Sequence, residues 1–196
     1  LNNTMTALLG FINDNKSDEH IENKYLYSRK MLAKGFPMVR DFAMVEQGRI
    51  LNQEGIETEL PDFDFIVKPS HGIEGRGIER FERLENGSFR GSNGKTYDAR
   101  ALKDYVKDLS KQESFLVQPR LLNHPDIADL TNNSFGTCRI ISGRYPDGKV
   151  DIIMAVFKMA TGKGIADNFS AGGIASPVNI STGTLGKAVA RRVLSD

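Results

Sequence analysis

Lys68 closes an apolar run, residues 63–68, is followed at once by Pro69, and is trailed by glycines at 72, 75 and 77. A lysine in such a run must reach water or meet a fixed anion, because burying an unpaired ammonium is costly. The bland solution is a side chain that snorkels to solvent. The glycines favour the other one: in G-x-x-G-x-G the backbone can approach a ligand closely and turn several N–H groups toward it, as phosphate loops do. Taken alone, the same spacing also fits a plain hairpin loop.

Three familiar phosphate signatures do not fit. The dinucleotide order G-x-G-x-x-G is reversed here, and the loop is expected to run into another strand instead of opening a helix. Gly186-Lys187 is followed by Ala188 where a Walker loop needs Ser or Thr, and position 181 is Ser, not the required Gly. No His-Arg-Asp triplet of a protein kinase occurs. What remains is a lysine strand, a glycine loop and a hairpin closing on an anion from one side.

Two more cations extend this pattern. By strand alternation Arg139 shares a face with Phe135, Thr137 and Ile141, and Lys158 shares one with Ile152, Met154 and Val156. Each alone reads as a structural cation at a strand end. Three such cations at the ends of apolar rows point to one polyanion, and each charge-assisted contact to phosphate is worth about 1.5–3 kcal/mol.

These residues need elements to hold them. Apolar spacing near 3.6 predicts helices over 4–13 and 21–34, the second stopped by Gly35 and Pro37. A short strand is expected in 38–45 and a helix over 46–54 ending at Gly55, so that 1–60 forms a helical lead-in. Residues 63–68 read as a strand, Asn86-Gly87 and Asn93-Gly94 as tight hairpin turns, and 99–111 as a helix. A strand at 114–118, a short helix at 125–130 and two long strands, 135–145 and 150–159, around Pro-Asp-Gly-Lys complete the pattern. The class is α+β with mainly antiparallel sheets, without internal repeats or low-complexity tracts.

Composition limits the function classes. The chain has 196 residues, with 26 Lys plus Arg against 25 Asp plus Glu, a formal charge of +1. No global field recruits nucleic acid or an anionic membrane, so an anion site must be built locally. Cys138 is the single cysteine, and His20, His71 and His124 are scattered, so neither a disulfide framework nor a zinc spacing is present. A reducing, cytoplasmic setting is expected, with no membrane-spanning stretch and no signal peptide. The absent initiator Met suggests a piece of a longer chain.

Read together, the stretches resemble a known family. "FIVKPSHGIEGRGI" resembles the lysine strand and glycine loop of ATP-grasp enzymes, "ENKYLYSRKMLAKGFPMVRDF" their lysine-bearing helix and Gly-x-Pro turn, and "FLVQPRLLNHP" the strand and hinge that cup adenine. From "NSFGTCRII" to "STGTLGKA" the chain is most similar to the sugar-transfer-associated branch, with some similarity to glutamate-ligase relatives. The resemblance implies an ATP-grasp fold of two small lobes clamping a nucleotide, C-terminally incomplete: a lead-in 1–60, a small lobe 61–113 and a larger lobe 114–196. It implies that Lys24 and Lys68 contact ATP phosphates, that Gly75 and Gly77 let the loop close, and that Gln118, Pro119, Arg120 and Leu121 line the adenine hinge. Many family members carry Glu where Gln118 stands, and Asp where Asn23 stands.

Arg139 and Lys158 would then neutralise the γ-phosphate and the acyl phosphate formed from it. Asp167, Asn168, Gly172 and Gly173 would sit where substrate meets phosphate, although the same residues also read as an Asx turn and a glycine turn. The implied cofactors are ATP and Mg²⁺, with the metal ligands expected beyond Asp196. The implied activity is an ADP-forming ligase acting on a small or glycan-linked carboxylate in cell-surface polysaccharide synthesis. A non-catalytic nucleotide-binding domain and a phosphotransferase with a hydroxyl acceptor stay open as alternatives.

Overall fold

The computed structural model describes residues 22–72, 75–131, 134–160 and 172–190. The helix expected at 4–13 lies outside these residues. Helix α1, Lys24–Ala33, starts where Asn23 caps it, its side chain accepting from the amides of Tyr25 at 3.0 Å and Leu26 at 3.1 Å. It stops at Gly35, whose φ of 79° ends the helix with the left-handed residue that glycine adopts freely.

Strands β1, Ala43–Glu46, and β2, Arg49–Leu51, follow as an antiparallel hairpin. This corrects the helix expected over 46–54. Gln47 and Gly48 both have positive φ, 50° and 73°, the backbone that a two-residue turn between right-twisted strands requires. The reversal then lets Ile50 enter the core at 1% exposure, which outweighs the helical preference of the Glu and Gln nearby.

The first sheet continues with β3, Phe65–Pro69, β4, Glu79–Arg83, β5, Phe89–Gly91, and β6, Thr96–Tyr97; helix α2, Ala99–Leu109, then leads to β7, Phe115–Pro119. The turns at Asn86-Gly87 and Asn93-Gly94 join β4 to β5 and β5 to β6 as expected. The strand order is β2-β1-β7-β3-β4-β5-β6, with neighbours antiparallel. Strand β7 therefore inserts between β1 and β3, and this one sheet crosses the boundaries expected at residues 60 and 113.

One face of the sheet is the core. Phe65, Val67, Phe81 and Val117 are fully buried there, and α2 packs Leu102 and Val106 against them. Asp98 caps α2 by accepting from Ala101 N–H at 2.7 Å. The Phe65 ring lies 5.2 Å from Phe81 and 5.6 Å from Phe89, centroid to centroid, within the range of favourable aromatic pairs. Burying each such side chain contributes about 1.5–3 kcal/mol.

A short helix α3, Pro125–Ala128, and a single 3-10 turn lead to the second sheet. It comprises β8, Thr137–Arg144, β9, Val150–Met159, β10, Ile174–Val178, and β11, Val189–Ala190, in the order β11-β10-β9-β8. Asn123 organises the approach: its amide group donates to Thr131 Oγ1 at 2.6 Å and to the Ser134 carbonyl, and its Oδ1 accepts from Gly136 N–H at 2.9 Å. Gly136 must be glycine, since a Cβ there would stand 2.9 Å from the Phe157 ring and 2.8 Å from Thr131 Cγ2.

We predict that Phe81→Ala lowers unfolding stability by about 3–5 kcal/mol in urea titrations, because it leaves a cavity that the surrounding rings cannot fill. Leu122→Ala, at a side chain left largely in solvent, stays within about 0.5 kcal/mol of the parent chain.

Candidate anion-binding site

Alternation in β3 sends Phe65, Val67 and Pro69 into the core and turns Ile66 and Lys68 to the opposite face. Strand pairing sets Leu116 opposite Lys68 and Gln118 opposite Ile66, so Gln118 and Lys68 stand on the same face of adjacent strands. Asp41, just before β1, comes to the same place. Its Oδ1 accepts from Gln118 Nε2 at 2.7 Å, and both residues are buried, at 4% and 7% exposure.

Helix α1 is tied to the far end of β3. The amide of Lys24 donates to the Ser70 carbonyl at 2.9 Å, and the Ser70 amide donates to the Ser114 carbonyl at 2.8 Å. The Ser70 hydroxyl is 2.6 Å from that of Ser114 and 2.9 Å from His71 Nδ1. These bonds place the first residue of α1 beside the glycine loop, where Lys24 Nζ donates to the Gly72 carbonyl at 2.8 Å.

Burial and neighbouring charge act on both lysines. Burial holds Lys68 below the ordinary lysine value of 10.5; Asp41 pulls it back up, and the nearby charge of Lys24 pushes it down again. Burial also lowers Lys24, against an upward pull from Glu113. Asp41 is raised by burial, opposed by Gln118, by the Ser28 hydroxyl and by Lys68. Ser28 Oγ is fully buried without a well-formed hydrogen bond, so its hydroxyl acts on Asp41 as a nearby dipole. Two half-buried ammonium groups that repel one another form a place where a multivalent anion relieves both.

The glycine loop runs into β4, a strand, as expected from the sequence. Gly75 and Gly77 have φ of 70° and 71°. At Gly77 a side chain is also excluded by space, because a Cβ would lie 2.9 Å from Pro69 Cγ. The loop therefore folds back onto the proline that follows Lys68.

Among the hinge residues, Arg120 is held by Asp64: its backbone N–H donates to the Asp64 carbonyl at 3.0 Å and its Nη1 to Asp64 Oδ2 at 3.0 Å. Its side chain is thereby occupied in fixing the end of β7. Pro119 is half-buried and Leu121 largely exposed. On the second sheet, Thr137 pairs with Lys158 and Arg139 with Val156, which sets Arg139 and Lys158 on one face, the first exposed and the second half-buried. Gly172 and the buried Gly173 lead into β10, while Asp167 and Asn168 lie outside the described residues.

The structure thus assembles Lys24, Lys68, the glycine loop and Gln118 in one place, and Arg139 with Lys158 in another. Sequence reading missed Asp41, Ser28, Ser70 and Ser114. Asp41 lies 77 positions from Gln118, and no local pattern signals that pairing. Among the described residues no three His, Cys, Asp or Glu side chains come together to hold a metal ion, so these residues give magnesium no step.

Two outcomes test this geometry. Amine acylation consumes only the neutral form, so a lowered pKa makes Lys68 reach half its maximal labelling rate below pH 10.5, measured by mass spectrometry across a pH series. The unfolded chain keeps that proton up to 10.5, so the stability penalty from Lys68 is full below its folded value and fades as pH rises toward 10.5. Gly77→Ala combines a positive φ with a close contact to Pro69, and we expect it to destabilise by about 1–3 kcal/mol in thermal unfolding.

Comparison with known proteins adds one positive finding. No curated protein and no solved structure matches the chain at a significant level. The model of one family, sugar-transfer associated ATP-grasp, matches residues 3–195. A lysine at a helix start, a strand lysine and a glycine loop directly after it stand in the order that the resemblance implied, and with a match spanning nearly its whole length the chain belongs to the sugar-transfer associated ATP-grasp family.

Proposed function

We propose that this chain carries the nucleotide clamp of an ADP-forming ligase that activates a carboxylate with ATP. The observation that carries this reading is the placement of Lys24 and Lys68 by the glycine loop, two lysines whose charged forms burial disfavours. Family membership supports ATP as the polyanion. Lys24 and Lys68 bind the phosphates, Gly75 and Gly77 let the loop cover them, and Gln118 with the backbone of Pro119, Arg120 and Leu121 lines the base. The two sheets act as the two lobes.

In the reaction proposed, a substrate carboxylate oxygen attacks the γ-phosphorus, the bond to the bridging β-phosphate oxygen breaks, and ADP leaves. An amine or related nucleophile then attacks the acyl carbon, its proton passes to solvent, and inorganic phosphate departs. Arg139 and Lys158 offset the negative charge on the transferring phosphoryl group. Asp167, Asn168, Gly172 and Gly173 meet the carboxylate substrate. ATP-grasp chemistry generally relies on Mg²⁺, and its ligands are assigned to segments other than the described ones. The family's association with sugar transfer supports a glycan-linked carboxylate, a role in polysaccharide synthesis and a cytoplasmic setting where ATP is supplied. No helix among the described residues is long and apolar enough to cross a membrane.

Calorimetric titration of Mg-ATP tests the clamp. The parent chain binds, and Lys68→Ala, still folded by circular dichroism, binds at least about tenfold more weakly, as expected for loss of one charge-assisted phosphate contact. Turnover with candidate acids in hydroxylamine then yields a hydroxamate; ATP consumption without one replaces the ligase reading by phosphoryl transfer to a hydroxyl, and binding without consumption by a nucleotide-holding domain.

A further inference from the structure

Gln118 is 7% exposed, and its Nε2 donates to Asp41 Oδ1 at 2.7 Å. Ser28 Oγ is the one fully buried side-chain polar atom without a partner among the described residues. Among the described residues Gln118 Oε1 accepts no hydrogen bond and is not fully enclosed, and strand pairing places the side chain on the face that carries Lys68. A carboxylate only accepts hydrogen bonds, whereas a carboxamide has a donor end and an acceptor end. As long as Asp41 is ionised, the donor end of Gln118 must face it, and only the acceptor end remains for a ligand.

We infer that Asp41 is a positioning residue that locks the Gln118 amide with its carbonyl oxygen toward the ligand, so that the site selects a base presenting an amino group over one presenting a carbonyl. The inference rests on the nucleotide reading given above. A 6-amino purine donates to Gln118 Oε1; a 6-oxo purine sets two acceptors against each other, and buried polar mismatches of that kind discriminate far more strongly than apolar fit. The lock is built from outside the strand that carries Gln118. Asp41 is itself held: its carbonyl accepts from Gln53 Nε2 at 2.8 Å, and the Gln53 carbonyl accepts from Arg29 Nη1 at 3.0 Å. Helix α1, the β1–β2 hairpin and β7 thus converge on the orientation of a single amide.

The test compares Mg-ATP with Mg-GTP, by calorimetry, on the parent chain, Asp41→Asn and Gln118→Met. Asparagine at 41 can pair with either end of the Gln118 amide, so the lock is lifted with little change of shape. We expect the parent chain to prefer ATP by roughly tenfold or more, and Asp41→Asn to bring the two affinities within about threefold, mainly by strengthening GTP. Gln118→Met removes the acceptor and should weaken ATP while leaving GTP nearly unchanged, which keeps the inference testable if Asp41→Asn does not fold. A purely structural role for Asp41 would lower both affinities together.

An ATP-to-GTP ratio unchanged by Asp41→Asn overturns the lock and leaves the ATP reading standing. A parent chain that binds ATP without preferring it to GTP does the same. A folded parent chain that binds neither nucleotide overturns both.

Discussion

The two-residue period of strand β3 is the constraint on which the rest depends. Phe65 and Val67 are fixed in the core with no exposure, so Lys68 has no choice of side. A one-residue slip of register would send the ammonium into a layer of phenylalanine rings and the rings into the site. The strength of the core on one face therefore sets the accuracy of the site on the other. Strands β7 and β4 flank β3, and the same alternation carries Gln118 to the lysine face and Phe81 to the core.

On that face the protein accepts an electrostatic cost. Lys68, Lys24 and Asp41 are all partly or wholly removed from water, and burial opposes the charged form of each. The geometry limits the damage without removing it: Asp41 partly offsets Lys68, Glu113 partly offsets Lys24, and the two lysines still repel. An anion placed between the two lysines would offset the charge that burial disfavours on each. Arg120 shows the contrast. Its guanidinium is paired with Asp64, and its backbone N–H donates to the same residue.

The second sheet follows a different balance. Ile140, Val150, Ile152 and Ile153 on β8 and β9 are largely exposed, in contrast to the sealed core of the first sheet. Between the sheets Asn123 nonetheless satisfies three groups at once, and Gly136 admits the Phe157 ring. That contact ties the strand bearing Lys158 to the hinge that follows Gln118.

Much was legible in the sequence because it is local. The turns at Asn86-Gly87 and Asn93-Gly94, the long β8–β9 pair and the emergence of Lys68 opposite Phe65 and Val67 all follow from turn and alternation rules that act within a few residues. The glycine loop was legible for the same reason, since Gly75 and Gly77 are written where the backbone must take positive φ. The helix expected over 46–54 failed where a local preference met a non-local reward: Ile50 gains more by joining the core beside β1 than its neighbours gain as a helix. The insertion of β7 between β1 and β3, and the meeting of Asp41 with Gln118, were decided by tertiary structure alone. Pairing between strands far apart in the chain is chosen by which faces can be buried together, and no short stretch records its partner. The sequence determined that a lysine would face a glycine loop; the fold decided which carboxylate, which helix and which amide would surround it.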